Sequence, residues 1–212
     1  KDPGTNHRLR AAIESAKDAN MPKDNISRAI NKSEINKSQN FQNLRYEGFG
    51  PKKIALIIET LTDNKNRTAG KIRTTLQKFG GTLGTSGSTI HFFNNCGVIQ
   101  ISGKLISEEK ALEIAARVSA TDCITNSDFY EIITKKDNFY KAKNEFQKYT
   151  KNLIYSAIEW RPKDLISFPR SEITNFENMY EILQEDDDIQ SIFHISTCST
   201  CINCIFRRNY LE

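Results

Sequence analysis

Arg67, Lys71, Thr74 and Lys78 recur at intervals of four, three and four residues. On an α-helix this spacing brings them onto one face, opposite Ile72, Leu76 and Phe79. A row of cations at helical pitch suits a phosphate backbone, because each neutralised phosphate releases counterions into solution. Taken alone, the row reads first as an ordinary solvated face. Asn64 and Asn66 lie just ahead of it, as donors to phosphates or bases or as plain turn residues. More cations come earlier: His7, Arg8, Arg10 and Lys17 in one segment, Lys23, Arg28 and Lys32 in the next, then Arg45. Few aromatics interleave with them. That favours contact with the backbone of a structured nucleic acid over stacking on single-stranded bases. No helix-turn-helix signature is readable, so sequence-specific reading of a groove has no support in these residues.

The net charge of +4 over 212 residues hides an asymmetry. Residues 1–78 carry 16 Lys and Arg against 8 Asp and Glu, a net of +8, which leaves −4 for residues 79–212. A polyanion is attracted to the first part and repelled by much of the second.

Other chemistry is thin. The run from Gly80 to Ser88 is rich in glycine and hydroxyls, but it lacks a P-loop lysine and leads from a helix into a strand, the wrong direction for a phosphate cradle. It reads as a turn. His7, His91 and His194 are far apart, and no nucleophile elbow or zinc-protease motif occurs. Glu185-Asp186-Asp187-Asp188 reads as a solvated acidic turn, with cation binding as its alternative. Cys96 and Cys123 read as buried thiols. Cys198, Cys201 and Cys204 form a C-x2-C-x2-C run that lacks the usual fourth ligand unless His194 supplies it. Trp160 reads as packing or a domain contact. No enzymatic activity, metal or cofactor is expected. No apolar stretch reaches membrane-spanning length and no signal peptide is visible, so the expected setting is the reducing cytoplasm.

The elements that must position these residues follow from periodicity. Two short helices are expected over about 7–19 and from Pro22 to about Lys32, then a polar linker over 33–43. Strands are expected at 44–50 and 53–61, a helix over 67–79 ended by Gly80-Gly81, and strands at 89–93 and 97–102 separated by an Asn94-Asn95 turn. A helix over 107–119, strands near 122–126 and 129–135, a helix over 137–149 and a strand over 153–159 give a split β-α-β order. A helix over 172–184 and a strand over 189–195 would return to the first sheet. The expected domains are a helical one over 1–40, a discontinuous α+β one over 41–102 and 165–212, and an inserted α+β one over 103–164. Because the chain starts at Lys1 and not at methionine, further residues are expected before it.

Several stretches together resemble the YebC/PmpR family: His7 to Ile13, Ala19 to Ile26, Arg45-Tyr46-Glu47-Gly48-Phe49-Gly50-Pro51, Leu61 to Thr68, and Phe79-Gly80-Gly81. The resemblance runs in order to about residue 195. It implies an α+β protein of three domains, an N-terminal helical domain and two ferredoxin-like α+β domains around a cleft. It implies a transcriptional regulatory protein that binds DNA or, as in the mitochondrial translational activator of cytochrome c oxidase subunit I, a translation factor at the ribosome that contacts rRNA and relieves stalls. Lys52 and Lys53 depart from the family's glycine-rich turn. The expected contact residues are Arg8, Arg10, Lys17, Lys23, Arg28, Arg45, Asn64, Arg67, Lys71 and Lys78. The expected partner is DNA or ribosomal RNA, bound by a monomer. A protein-interaction scaffold is the remaining alternative.

Overall fold

The computed structural model describes Leu9, Ala12, Ile13, Ala16, Lys17 and residues 21–150, 153–167 and 170–197, without the side chains of 31–35 and 170. The chain divides into two compact units, 1–41 and 42–212.

In the first unit, Leu9, Ala12, Ile13, Ala16 and Lys17 are helical. Helix α1 (Lys23–Ile35) follows Pro22, whose carbonyl accepts the Asn25 and Ile26 N–H groups at 3.0 and 3.2 Å. A proline suits this place because its missing N–H would have no helical partner. Among the described side chains of α1 Ile26 is the buried one, and Asp24 lies at the helix's positive end. The helix continues past Lys32 to Ile35, because Ser33 and Glu34 are tolerated in a helix when no Gly or Pro stops it.

The second unit holds two antiparallel sheets. Strands β1 (Gln42–Phe49) and β2 (Ala55–Thr62) lead into helix α2 (Lys65–Lys78) and the short strand β3 (Thr82–Leu83). After an intervening sheet, α5 (Arg170–Gln184) and β8 (Ile189–His194) return to give the order β3-β1-β2-β8. Leu56, Ile58 and Ile192 pack with Ile72 and Leu76 of α2 and with Phe176, Met179 and Leu183 of α5. Gly80 ends α2 in the left-handed region at φ 78°, as a helix-terminating glycine does. At Gly81 a Cβ would sit 2.3 Å from the Phe49 carbonyl oxygen, so only glycine lets the chain turn back against β1.

The intervening sheet is β4 (Phe93–Ser102), α3 (Glu108–Arg117), β5 (Asp122–Thr125), β6 (Phe129–Lys135), α4 (Phe139–Gln147) and β7 (Tyr155–Pro162). Its strand order is β5-β6-β4-β7, the ferredoxin-like arrangement of a split β-α-β unit. Ile99, Ile101 and Ile132 face Ala111, Ile114, Ala142 and Phe146.

Two expectations change here. Asn94-Asn95 is not a turn. Both pair within β4, opposite Arg161 and Trp160, because the ladder to β7 carries the asparagines as strand residues. β4 also pairs with β6 and β7 and not with the strands of 42–62, so the inserted sheet begins at Phe93 and not at 103. The two sheets meet through Trp160, whose indole N–H donates to Glu59 Oε1 at 2.9 Å while the Arg45 guanidinium stacks 4.9 Å above its ring.

Candidate nucleic-acid interface

Helix α2 starts where it does because Asn64, in extended conformation, turns its side-chain oxygen to the N–H groups of Asn66 and Arg67 at 3.2 and 3.1 Å. Asn64 was expected to contact nucleic acid. Its acceptor is spent on capping, which leaves only the amide donor facing water.

The expected cation row splits in two. Arg67 Nη2 donates to Asp63 Oδ1 at 2.7 Å and to both Asp188 oxygens at 2.9 and 3.1 Å. Lys71 Nζ lies 2.9 Å from Asp186. The acidic turn ahead of β8 is therefore not simply solvated, since two of its carboxylates bind the helix. Asp188 is 8% exposed and also accepts from the hydroxyls of Thr68 at 2.8 Å and Thr62 at 3.2 Å. Burial works against its charge, but the bonds from Arg67 and Thr68 outweigh it and hold the carboxyl below its ordinary value. Arg67 and Lys71 remain partly exposed, but each begins with a carboxylate partner that a phosphate would have to displace.

At the other end of α2, Lys78 has no carboxylate partner among the described residues and lies 5.3 Å over the Phe79 ring. Arg73 is exposed on the opposite flank, also without an ion pair among the described residues, and the helical spacing of the row passed over it. On the first unit Lys17, Lys23 and Arg28 are exposed. Arg45 is exposed but stacked on Trp160. Arg8 and Arg10 lie outside the described residues, as do Cys198, Cys201 and Cys204.

Two acidic side chains of the first sheet are bonded within the fold. Glu47, 4% exposed, accepts from the backbone N–H groups of Gly87, Thr89 and Ile90 at 2.9, 2.8 and 3.0 Å. Burial raises its pKa, but these three bonds, aided by Arg45, bring it below the ordinary value. The glycine-rich run thus does form an anion-binding nest, and the anion is the chain's own carboxylate. Glu59 accepts from Trp160.

One polar cluster had no signal in the sequence. Arg161 forks onto Glu131 with two bonds of 2.7 Å and donates from Nε to Glu159 at 2.7 Å. Gln100 donates to Glu131 at 2.8 Å and the Tyr155 hydroxyl to Glu159 at 2.9 Å. Burial opposes the Arg161 charge, but Glu131 and Glu159 raise its pKa on balance. A cavity of about 280 Å³ opens beside it, lined by Tyr155, Glu159, Tyr180, Gln184, Ser191 and Phe193. These residues come from two strands and a helix of different sheets, so no local spacing announces them. Among the described residues no group of three or more His, Cys, Asp or Glu side chains is placed to hold a metal.

Residues 41–195 match the family described as the TACO1/YebC second and third domain, and residues 1–36 match the TACO1/YebC protein N-terminal domain. A probable transcriptional regulatory protein of Pelagibacter ubique is 48% identical over 193 residues, covering 91% of this chain and 80% of that protein. A protein of the same description from Zymomonas mobilis is 40% identical over 192 residues, covering 91% and 77%. The crystal structure of a conserved hypothetical protein from Aquifex aeolicus superposes with a TM-score of 0.76 at 34% identity, covering 92% of this chain and 81% of that one.

Proposed function

This chain belongs to the TACO1/YebC family, and from that premise we propose that it is a non-enzymatic, nucleic-acid-binding regulator of gene expression with DNA as its target. The transcriptional role comes from the names its relatives carry. One observation supports binding: among the described residues Lys17, Lys23, Arg28, Arg73 and Lys78 face water without carboxylate partners, while Glu47 is buried and half-buried Glu59 is bonded to Trp160. Free surface cations attract phosphates, and internally bonded carboxylates oppose them less at close range.

The test is fluorescence anisotropy on a DNA duplex over a salt series. The double substitution R73A/K78A is expected to lower the slope of log affinity against log salt by roughly 0.9 per lost phosphate contact. R67A/K71A is expected to change it less. Salt-independent binding, or none, would sink this reading.

A ribosome-associated translation factor is the second reading. It is favoured by lysines and arginines that suit backbone contact, with the nearby Asn64 occupied as a helix cap. Nuclease-sensitive co-sedimentation with ribosomes, without retention on duplex DNA, would select it.

A further inference from the structure

The turn joining β1 to β2, Gly50-Pro51-Lys52-Lys53, places two consecutive lysines in the left-handed region at φ 54° and 61°. That conformation is unfavourable for side chains with a Cβ and is normally given to glycine or asparagine. The turn closes through its backbone alone. Gly50 N–H donates to the Ile54 carbonyl at 2.8 Å, Lys53 N–H to Gly50 at 3.1 Å and Ile54 N–H to Pro51 at 3.2 Å. Two glycines would make the same bonds without strain. Pro51 is buried, whereas Lys52 and Lys53 are exposed. Both side chains being exposed, neither lysine stabilises the fold by packing, and the strain they carry calls for a role outside the core.

The surroundings indicate what that is. The backbone at Gly81 lies against Gly50, where an added Cβ would come within 3.0 Å of the Gly50 Cα. Asn175 donates to the Phe79 carbonyl at 3.4 Å. One turn earlier on α5, Glu172 meets Lys52 Nζ at 3.3 Å. The turn and the C-terminal end of α2 therefore share one end of the first sheet. That end carries Lys52, Lys53 and Lys78, and among the described residues Glu172 is the one carboxylate paired with any of them. Arg67 and Lys71, which Asp188 and Asp186 quench, lie about 17 and 11 Å back along α2 from Lys78 at 1.5 Å rise per residue.

We propose that this end of the sheet is a phosphate-contacting site for the backbone of a structured nucleic acid. Lys53 and Lys78 are its charges without a carboxylate partner among the described residues, and Lys52 joins by exchanging Glu172, with which it forms an exposed pair, for a phosphate. The proposal rests on the nucleic-acid reading above and locates its contact away from the start of α2.

The test uses the whole chain carrying K52G/K53G, with K52N/K53N as a second variant that also tolerates the left-handed region. The probes are a mixed-sequence DNA duplex and a stem-loop RNA of matched length. Relief of strain is expected to raise the melting temperature. Affinity is expected to fall about eight-fold per lost contact at ~0.1 M salt, with the salt slope reduced by about 0.9 per contact. The probe that loses more identifies the nucleic acid. A variant of raised or unchanged stability that binds both probes like the unaltered chain would overturn this site alone. Failure of the unaltered chain to bind either probe would overturn the nucleic-acid reading and the site with it.

Discussion

Arg67 on α2 and Asp188 at the foot of β8 are joined by two hydrogen bonds of 2.9 and 3.1 Å across 121 positions of sequence. The pair ties the strand that closes the first sheet to a helix laid down before the second sheet begins. Asp188→Ala would leave the Thr62 hydroxyl without its acceptor, take from the Thr68 hydroxyl an acceptor it shares with the Asn64 carbonyl, and leave Arg67 with Asp63 as its remaining carboxylate, at a cost of about 1–3 kcal/mol. The urea midpoint is expected to fall accordingly, and an unchanged midpoint would show that water replaces the carboxylate.

Acid should unfold the protein partly through two carboxylates. Asp188 and Glu47 both have folded pKa values below their ordinary ones. Such groups stabilise the fold above their unfolded values, near 4, and the stabilisation is lost as pH falls through the depressed folded values. Urea midpoints are expected to fall on acidification below about pH 4. In an E47Q/D188N variant they should be lower at neutral pH and flatter on acidification.

Glu47 holds the 84–90 loop with three backbone bonds. Glutamine at this position has one acceptor oxygen and sets an NH2 group against an N–H donor. Glu47→Gln is expected to cost about 1–3 kcal/mol. Hydrogen exchange should quicken first at Gly87, Thr89 and Ile90. Uniform quickening across both sheets would contradict a local clamp.

Trp160 is the sole tryptophan and stands where the two sheets meet. Trp160→Phe removes the N–H bond to Glu59 and weakens the stacking of Arg45, for an expected loss of about 1–2 kcal/mol. In the unsubstituted protein, tryptophan fluorescence and far-ultraviolet circular dichroism should report one transition. If fluorescence changes at lower urea, the sheets separate before they unfold.

Glu131 is almost fully buried and accepts from Arg161 and Gln100. Removing it by Glu131→Ala takes both bonds of the Arg161 fork and leaves only Glu159 against the guanidinium, at an expected cost of about 3 kcal/mol, read as a large drop in melting temperature. Glu113→Ala, on the exposed face of α3, should leave the melting temperature unchanged.

Much of this protein was present in local order. Periodicity located α2, α5 and β8, because a helix or strand buries one face and its repeat is written in neighbouring residues. Gly80-Gly81 marked the end of α2 for a similarly local reason. The same locality misled at Asn94-Asn95, where turn-forming residues sit inside β4 because its ladder with β7 holds them extended. By itself the sequence determined the α+β class, the helical faces and the excess of cations before residue 79. Which cations are free was decided by tertiary structure. Asp186 and Asp188 reach Lys71 and Arg67 only after β8 pairs with β2, and Glu47 meets its nest only when the 84–90 loop folds over β1. Charges on one helix are set by spacing, but their partners come from wherever the chain returns, and no local pattern records that.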